Sequence, residues 1–500
     1  MNKVLKGLVA VAATAAMAIA GVAGASTAMA AGTNYDITVP STDTHTYSVY
    51  QVFTGDLSNG TLSNIKAGQN FNKNNTASKS AADAAAEIAQ GTYANNTEKL
   101  AAITPYVDLT GTAFGEVSAN TALSAPAGYY LLKDKDAVTG DDAATLFIVQ
   151  VNGPVTVNRK ANKPTFEKKV KDVNDSTGDK SGWQDSADYD VNDEVPFQLT
   201  ATLPTNEADF AAYKTYKLVF HDQQSAGLTF NKDSVVVKYG DQTLGTDSYT
   251  LETPATDNDT FDITITDAKT VKDADGSAIT VATGGKFTVE YTSTLNENAV
   301  IGAAGNPNEA SLEFSNNPNV GGEGNTGKTP TDKVIVFTYQ LDINKTFNGG
   351  GTPDDNDLPE FTLYKFDSAT NDYTTNVGKV GITKTTDGKY TASFKRVDDG
   401  KYKLVETKTP AGFNTADPTL FDITAEHDVE SDNPQLTVLK INTTAGNTTA
   451  GTVVADVVNQ RGSNLPSTGG MGTVLLYVAG IAVFVLAGAT LVMALRRRNA

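Results

Sequence analysis

Between residues 31 and 463, apolar positions recur every second residue in short runs. Each run closes on a stretch rich in Gly, Asn, Asp or Thr, such as Asn348-Gly349-Gly350-Gly351. A period of two marks strands that bury one face, and this spacing of runs and turns favours immunoglobulin-like β-sandwiches. The predicted fold class is all-β. One stretch departs from it: residues 79–103 are rich in Ala, carry Glu87 and Glu98, and predict one or two helices decorating the first sandwich. A basic, Pro-containing segment at 158–164 and a Gly/Thr/Pro-rich linker at 321–332 divide the region into three modules, 31–160, 161–333 and 334–463.

The parity of the runs carries more than the fold. Residues two apart in a strand share a face, so an ionisable residue in step with apolar neighbours points into the core. In the third module Lys345 is in step with Leu341 and Ile343, Glu406 with Tyr402 and Leu404, and Asn459 with Val453, Ala455 and Val457. A lysine, a glutamate and an asparagine are thus aimed inward from three strands. A buried lysine is costly unless its pKa shifts or it finds a partner. Parity alone is equally met by a buried ion pair with a hydrogen-bonded asparagine. The middle module repeats the pattern with Lys168 beside Phe166 and Val170, Asp222 beside Leu218 and Phe220, and Asn316 beside Leu312 and Phe314. Lys169 and Glu290 compete there, but both take the face opposite their apolar neighbours. Parity selects Lys168 and Asp222.

The two ends of the chain read differently. Lys3 and Lys6 precede an Ala-rich apolar stretch that ends in Ala28-Met29-Ala30, which predicts a secretory signal peptide over residues 1–30. At the other end, residues 464–500 hold Leu465-Pro466-Ser467-Thr468-Gly469, then the uncharged residues 472–495, then Arg496-Arg497-Arg498. Those 24 uncharged residues suffice for a transmembrane helix, with the arginines kept cytoplasmic. Net charge is −19 and cysteine is absent. The first argues against nucleic-acid binding and the second excludes disulfides, so any covalent staple is of another kind.

Leu465-Pro466-Ser467-Thr468-Gly469 before an apolar span and a basic tail resembles the cell-wall sorting signal of Gram-positive surface proteins. Residues 402–413, Tyr-Lys-Leu-Val-Glu-Thr-Lys-Thr-Pro-Ala-Gly-Phe, resemble the E box of Gram-positive pilins, with Phe413 in place of a final Tyr. The chain is similar to the backbone pilins of sortase-assembled pili, whose Cna-type domains form internal Lys–Asn isopeptide bonds. The resemblance implies that a neutral Lys345 attacks the Asn459 carboxamide while Glu406, protonated, polarises it. In the middle, Cna-A-like module it implies Lys168, Asp222 and Asn316 in the same roles. Gly128-Tyr129-Tyr130-Leu131-Leu132 looks like part of a pilin first domain, but no comparable set accompanies it and no isopeptide bond is expected there.

The same family joins subunits through a lysine. Pro154, Thr156, Asn158 and Lys160 share a face, which puts Lys160 exposed at the end of a strand. Val157-Asn158-Arg159-Lys160 resembles the end of the pilin motif VYPK, with Asn and Arg in place of Tyr and Pro; Lys163 is the alternative acceptor. The expected partners are identical subunits, a pilus-specific class C sortase, a housekeeping sortase, peptidoglycan, ancillary tip or base pilins, and an unidentified host or bacterial ligand. The competing reading is a monomeric wall-anchored adhesin or an ancillary pilin. Enzyme readings fare poorly. His45, His221 and His427 are far apart in sequence, with no HExxH, nucleophile elbow or phosphate-binding loop. No cofactor or metal is expected: residues 172–179 are rich in Asp, Asn and Ser, but their glycine is misplaced for an EF-hand and they read as a polar turn.

Overall fold

The computed structural model describes residues 33–462, apart from 59, 76–77, 94–95, 137, 139, 141, 158–162, 206–209, 211–212 and 318–324. Lys160, the signal peptide, the sorting pentapeptide and the expected membrane span lie outside the described residues. Among those described, no helix is long and apolar enough to cross a membrane.

The described chain is built from β-strands in six sheets, two to each module. In the first module, Thr46–Ser58 pairs antiparallel with Thr61–Ala67 and Gly128–Asp134 and anchors one sheet; Asn34–Thr38 lies between Leu123–Pro126 and Val155–Thr156 in the other. The Ala-rich stretch forms two helices, Ala81–Gln90 and Asn96–Ile103. Ser80 caps the first by accepting from the Asp83 amide, and Ala81, Ala84, Ala85 and Ile88 turn its apolar face inward.

The middle module packs a five-stranded sheet on a seven-stranded one. The five-stranded sheet holds Thr165–Val170, Glu194–Thr202 and Lys286–Leu295 as neighbours. Leu218–Gln224 pairs with Asn306–Ser315 in the seven-stranded sheet, with Asp222 opposite Ala310. The facing rows, Phe197, Leu199, Phe287 and Val289 on one side and Phe220, Leu312 and Phe314 on the other, are fully buried. Such cores hold two sheets about 10 Å apart.

The third module closes on itself. Its first strand, Tyr339–Asn348, pairs parallel with its last, Thr452–Gln460, so that Lys345 faces Val457 and Phe347 faces Asn459. The opposing sheet contains Glu360–Asp367 and Gly400–Lys408, paired with Phe361 against Glu406.

The structure moves one module boundary. A break at 333 cuts into the strand Asp332–Phe337, which pairs with Asn306–Ser315 and Ser186–Asp188 of the middle module. Its alternate faces serve two cores: Val334 and Val336 pack into the middle module, Ile335 and Phe337 into the third. A strand between two apolar surfaces has no polar face, so no composition shift marks the junction.

Candidate functional site

In the third module Lys345, Glu406 and Asn459 are all buried, at 2%, 6% and 0% exposure. The parallel register sets Asn459 two residues along from the Val457 that faces Lys345, on the same face of the neighbouring strand. Lys345 Nζ donates to the carbonyls of Thr346 and Val457, each at 3.2 Å. From the opposing sheet, Glu406 Oε2 accepts from Asn459 Nδ2 at 2.9 Å and from the Ala416 amide at 2.6 Å. Asn459 Nδ2 also donates to the Asn414 carbonyl at 2.5 Å. Glu406 Oε1 and Asn459 Oδ1 remain buried acceptors without a partner.

Desolvation lowers the Lys345 ammonium to a pKa of about 8, against a smaller opposing pull from Glu406. The nearby amine is therefore readily available in its neutral, nucleophilic form. An Asn459→Ala chain, which cannot cross-link through this residue, should show the titration. Between a folded value of about 8 and the ordinary 10.5, the unfolded state holds more protons, so stability should rise with pH across that window and stay flat below it. Urea unfolding at both ends of the window would measure this, and an added Lys345→Met change should flatten the rise.

In the middle module Lys168 and Asp222 are both fully buried. Lys168 Nζ donates to Asp222 Oδ2 at 2.5 Å and to Tyr291 Oη at 2.9 Å, and Tyr291 donates to the same carboxylate oxygen at 2.6 Å. Burial lowers the Lys168 pKa although Asp222 opposes it. Lys169, by contrast, is half-buried and binds Asp185 at 2.6 Å, and Glu290 pairs with Lys238 at 2.7 Å near the surface.

Asn316 is not at this site. Asp222 lies opposite Ala310, and Asp332, whose carboxylate accepts from the Lys168 amide, also pairs with Ala310. Asn316 lies six positions farther along, roughly 20 Å at about 3.3 Å per residue. It is buried where its carbonyl accepts from the Ala144 amide of the first module. The asparagine that reaches the site is Asn308, fully buried, with Nδ2 2.9 Å from Tyr291 Oη and its Oδ1 unpartnered. It stands in step with Ala310, Leu312 and Phe314, so parity admits it as readily as Asn316. Only the strand register separates the two.

A third buried lysine behaves differently. Lys365, 1% exposed, is surrounded by Asp398, Asp190 and Asp175. Desolvation works against its charge, but those three carboxylates hold its pKa above the ordinary value. It is a fixed cation joining the middle and third modules, not a nucleophile. Among the described residues, no lysine of the first module is buried. Lys163 is exposed and lines a groove of about 960 Å³ that it shares with Phe166, Lys286, Asp332 and Lys333.

Residues 355–435 match the SpaA prealbumin-like fold domain. Over 278 residues, 53% of this chain, the sequence is 27% identical to the trypsin-resistant surface T6 protein of Streptococcus pyogenes; the match spans 46%, about half, of that relative. The solved T6 backbone pilin of S. pyogenes serotype M6, described as a modular three-domain structure, superimposes with a TM-score of 0.52. That likeness covers 86% of this chain and 98% of the pilin at 19% identity. This chain has the modular fold of a backbone pilin. The full-length major pilin SpaD of Corynebacterium diphtheriae is also similar, at TM-score 0.47 and 19% identity over 88% of this chain and all of SpaD. In the third module the first and last strands run side by side, and the candidate Lys345 and Asn459 lie on that seam.

Proposed function

We propose that this chain is the structural backbone subunit of a covalently polymerised, cell-wall-anchored pilus that mediates adhesion. The observation that carries the reading is the buried Lys345, Glu406 and Asn459 constellation on the seam between first and last strands, in a chain with the fold of a backbone pilin. The Lys345 amine attacks Asn459 Cγ, the new C–N bond replaces the bond to Nδ2, and ammonia leaves. Glu406 carries the proton from the attacking nitrogen to the departing one. The fold holds all three groups together, so no external catalyst is required. Lys168, Asp222 and Asn308 perform the same chemistry in the middle module. The chain is a structural element and a sortase substrate, not an enzyme.

Polymerisation uses the two ends of the ectodomain. A class C sortase cleaves between Thr468 and Gly469 and holds the Thr468 carbonyl as a thioester. The amine of Lys160 in another subunit attacks that carbonyl, an amide forms, and the enzyme thiol departs. Lys163, exposed beside its groove, is the alternative acceptor. A housekeeping sortase then transfers the fibre base to peptidoglycan. The test is a boiled, detergent-treated wall extract from the native host, blotted for this chain. Wild type should give a high-mass ladder and Lys160→Ala should collapse it to monomer. A ladder that survives in Lys160→Ala but not in Lys163→Ala moves the linkage to Lys163. The absence of a ladder in wild type would leave a monomeric adhesin instead.

A further inference from the structure

All three histidines of the chain sit among carboxylates, and their geometries differ. His45 is satisfied on both nitrogens, with Nδ1 2.8 Å from Asp134 and Nε2 2.7 Å from Asp142. His221 Nδ1 holds a hydrogen bond to Asp262 at 2.9 Å and lies 3.3 and 3.5 Å from Asp259 and Asp257, while its buried Nε2 is 3.6 Å from Glu313, so its carboxylates gather on the nitrogen that is already bonded. His427 follows neither pattern. Its Nδ1 is 2.7 Å from Ser186 Oγ, and that hydroxyl gives its own proton to the Asp428 carbonyl at 2.6 Å. The serine oxygen must therefore accept from Nδ1–H, which leaves the Nε2 lone pair free in the neutral ring.

That lone pair meets two carboxylates without bonding either. Nε2 lies 3.7 Å from Asp188 Oδ1 and 3.9 Å from Asp172 Oδ2, beyond hydrogen-bond reach, and the three atoms fall within 4.8 Å of one another. The side chains of His427 and Asp188 are 7% and 4% exposed. Asp188 is held from behind, because its Oδ2 accepts from the Asp399 amide at 3.1 Å. Beside Asp188 the hydroxyl of Tyr339 is fully buried, with the Asp188 carboxylate as its polar neighbour. Two ligands of a tetrahedral zinc, each about 2.0–2.2 Å from it, stand roughly 3.3–3.6 Å apart. The nitrogen–oxygen separations of 3.7 and 3.9 Å exceed that by a few tenths of an ångström, which small carboxylate rotations can close. An imidazole ring whose far nitrogen is fixed by a hydrogen bond is the arrangement that orients metal ligands.

We propose that Asp172, Asp188 and His427 form a zinc site that clamps the middle module to the third. The two aspartates come from the middle module and the histidine from the strand Thr419–His427 of the third. Imidazole nitrogen with carboxylate oxygen favours zinc over calcium or magnesium, which prefer all-oxygen shells. A bound ion would take over from His427, the cation that now faces Asp172 and Asp188, in balancing their charge, and would add a bond across the joint through which tension passes between modules. This reading departs from the sequence expectation of no metal, because the ligands come together only in three dimensions.

The test uses the full mature chain, stripped with chelator, equilibrated with zinc chloride and passed through a desalting column. Wild type and His221→Ala should each retain one zinc per chain, and X-ray absorption should show a nitrogen/oxygen shell containing an imidazole. His427→Gln should lower zinc affinity at least ten-fold, and Ser186→Ala should weaken it about ten-fold by releasing the ring. Intact mass and trypsin resistance confirm that the variants are folded. Failure of wild type to retain zinc overturns the proposal. So does equal retention by folded His427→Gln, which would place the ion elsewhere.

Discussion

A Glu406→Ala chain should be one ammonia heavier than wild type, after allowance for the substitution itself, and its third module should melt roughly 12–30 °C lower. The mass follows from the reaction, since each isopeptide bond expels one ammonia and removal of the acid leaves the amide intact. The melting shift follows from the loop. Closing a chain segment of ~100 residues stabilises a fold by about 4–5 kcal/mol, and the segment from Lys345 to Asn459 is about that long. For a module of this size each kcal/mol corresponds to about 3–6 °C. The true shift should lie toward the upper end, because the variant also leaves an amine and a carboxamide buried without their partner. Asn459→Ala should retain the same ammonia, again after allowance for the substitution, and show a similar melting temperature. Equal losses from the two single variants and from the double variant would mark one shared bond, as expected of groups that act as a unit. A Glu406→Ala chain with the wild-type ammonia loss would sink the assignment.

The strength of such a bond bears on why the lysines are buried at all. Lys168, Lys345 and Lys365 are each almost wholly shielded from water, yet their environments push them in opposite directions. Lys365 faces three carboxylates and stays charged. Lys345 faces one acid, which also hydrogen-bonds the asparagine, and burial pushes it toward the neutral amine. An excess of acid holds a lysine in a salt bridge, whereas one acid beside an amide is the setting that the proposed reaction needs. The distinction lies in what surrounds each amine, and side-chain parity sees only that the amine is inward.

That is the boundary of what the sequence made legible. Alternation identified the β-class, the inward direction of Lys168, Asp222, Lys345, Glu406 and Asn459, and the helical exception, which forms as Ala81–Gln90 and Asn96–Ile103. These are local properties with a period of two or of 3.6 residues. Register is not local. The shared strand Asp332–Phe337, the Lys365 joint and the meeting of Asp172 and Asp188 with His427 all depend on which strands become neighbours and at what offset. No residue pattern within one strand encodes that offset.

Asn308 and Asn316 make the point testable, because they share one strand face and differ only in position along it. Asn308→Ala should remove the middle-module bond, so the chain retains one extra ammonia and that module becomes sensitive to trypsin. Asn316→Ala should keep the wild-type ammonia loss and middle-module resistance, with any destabilisation confined to the junction where its carbonyl meets the Ala144 amide. The segment closed by Lys168 and Asn308 exceeds ~100 residues, so the loss in Asn308→Ala should again approach 5 kcal/mol. Tyr291→Phe offers an independent check, since its hydroxyl bridges Lys168, Asp222 and Asn308. It should slow bond formation without preventing it, giving a mixture of the two masses that matures with time. Were Asn316→Ala the variant that gains the ammonia, the strand Asn306–Ser315 would have to slide by several residues against Leu218–Gln224. That slide, an even number of residues that keeps the same face inward, would carry Leu312 and Phe314 away from the core they now fill, at a cost that no single amide bond could offset.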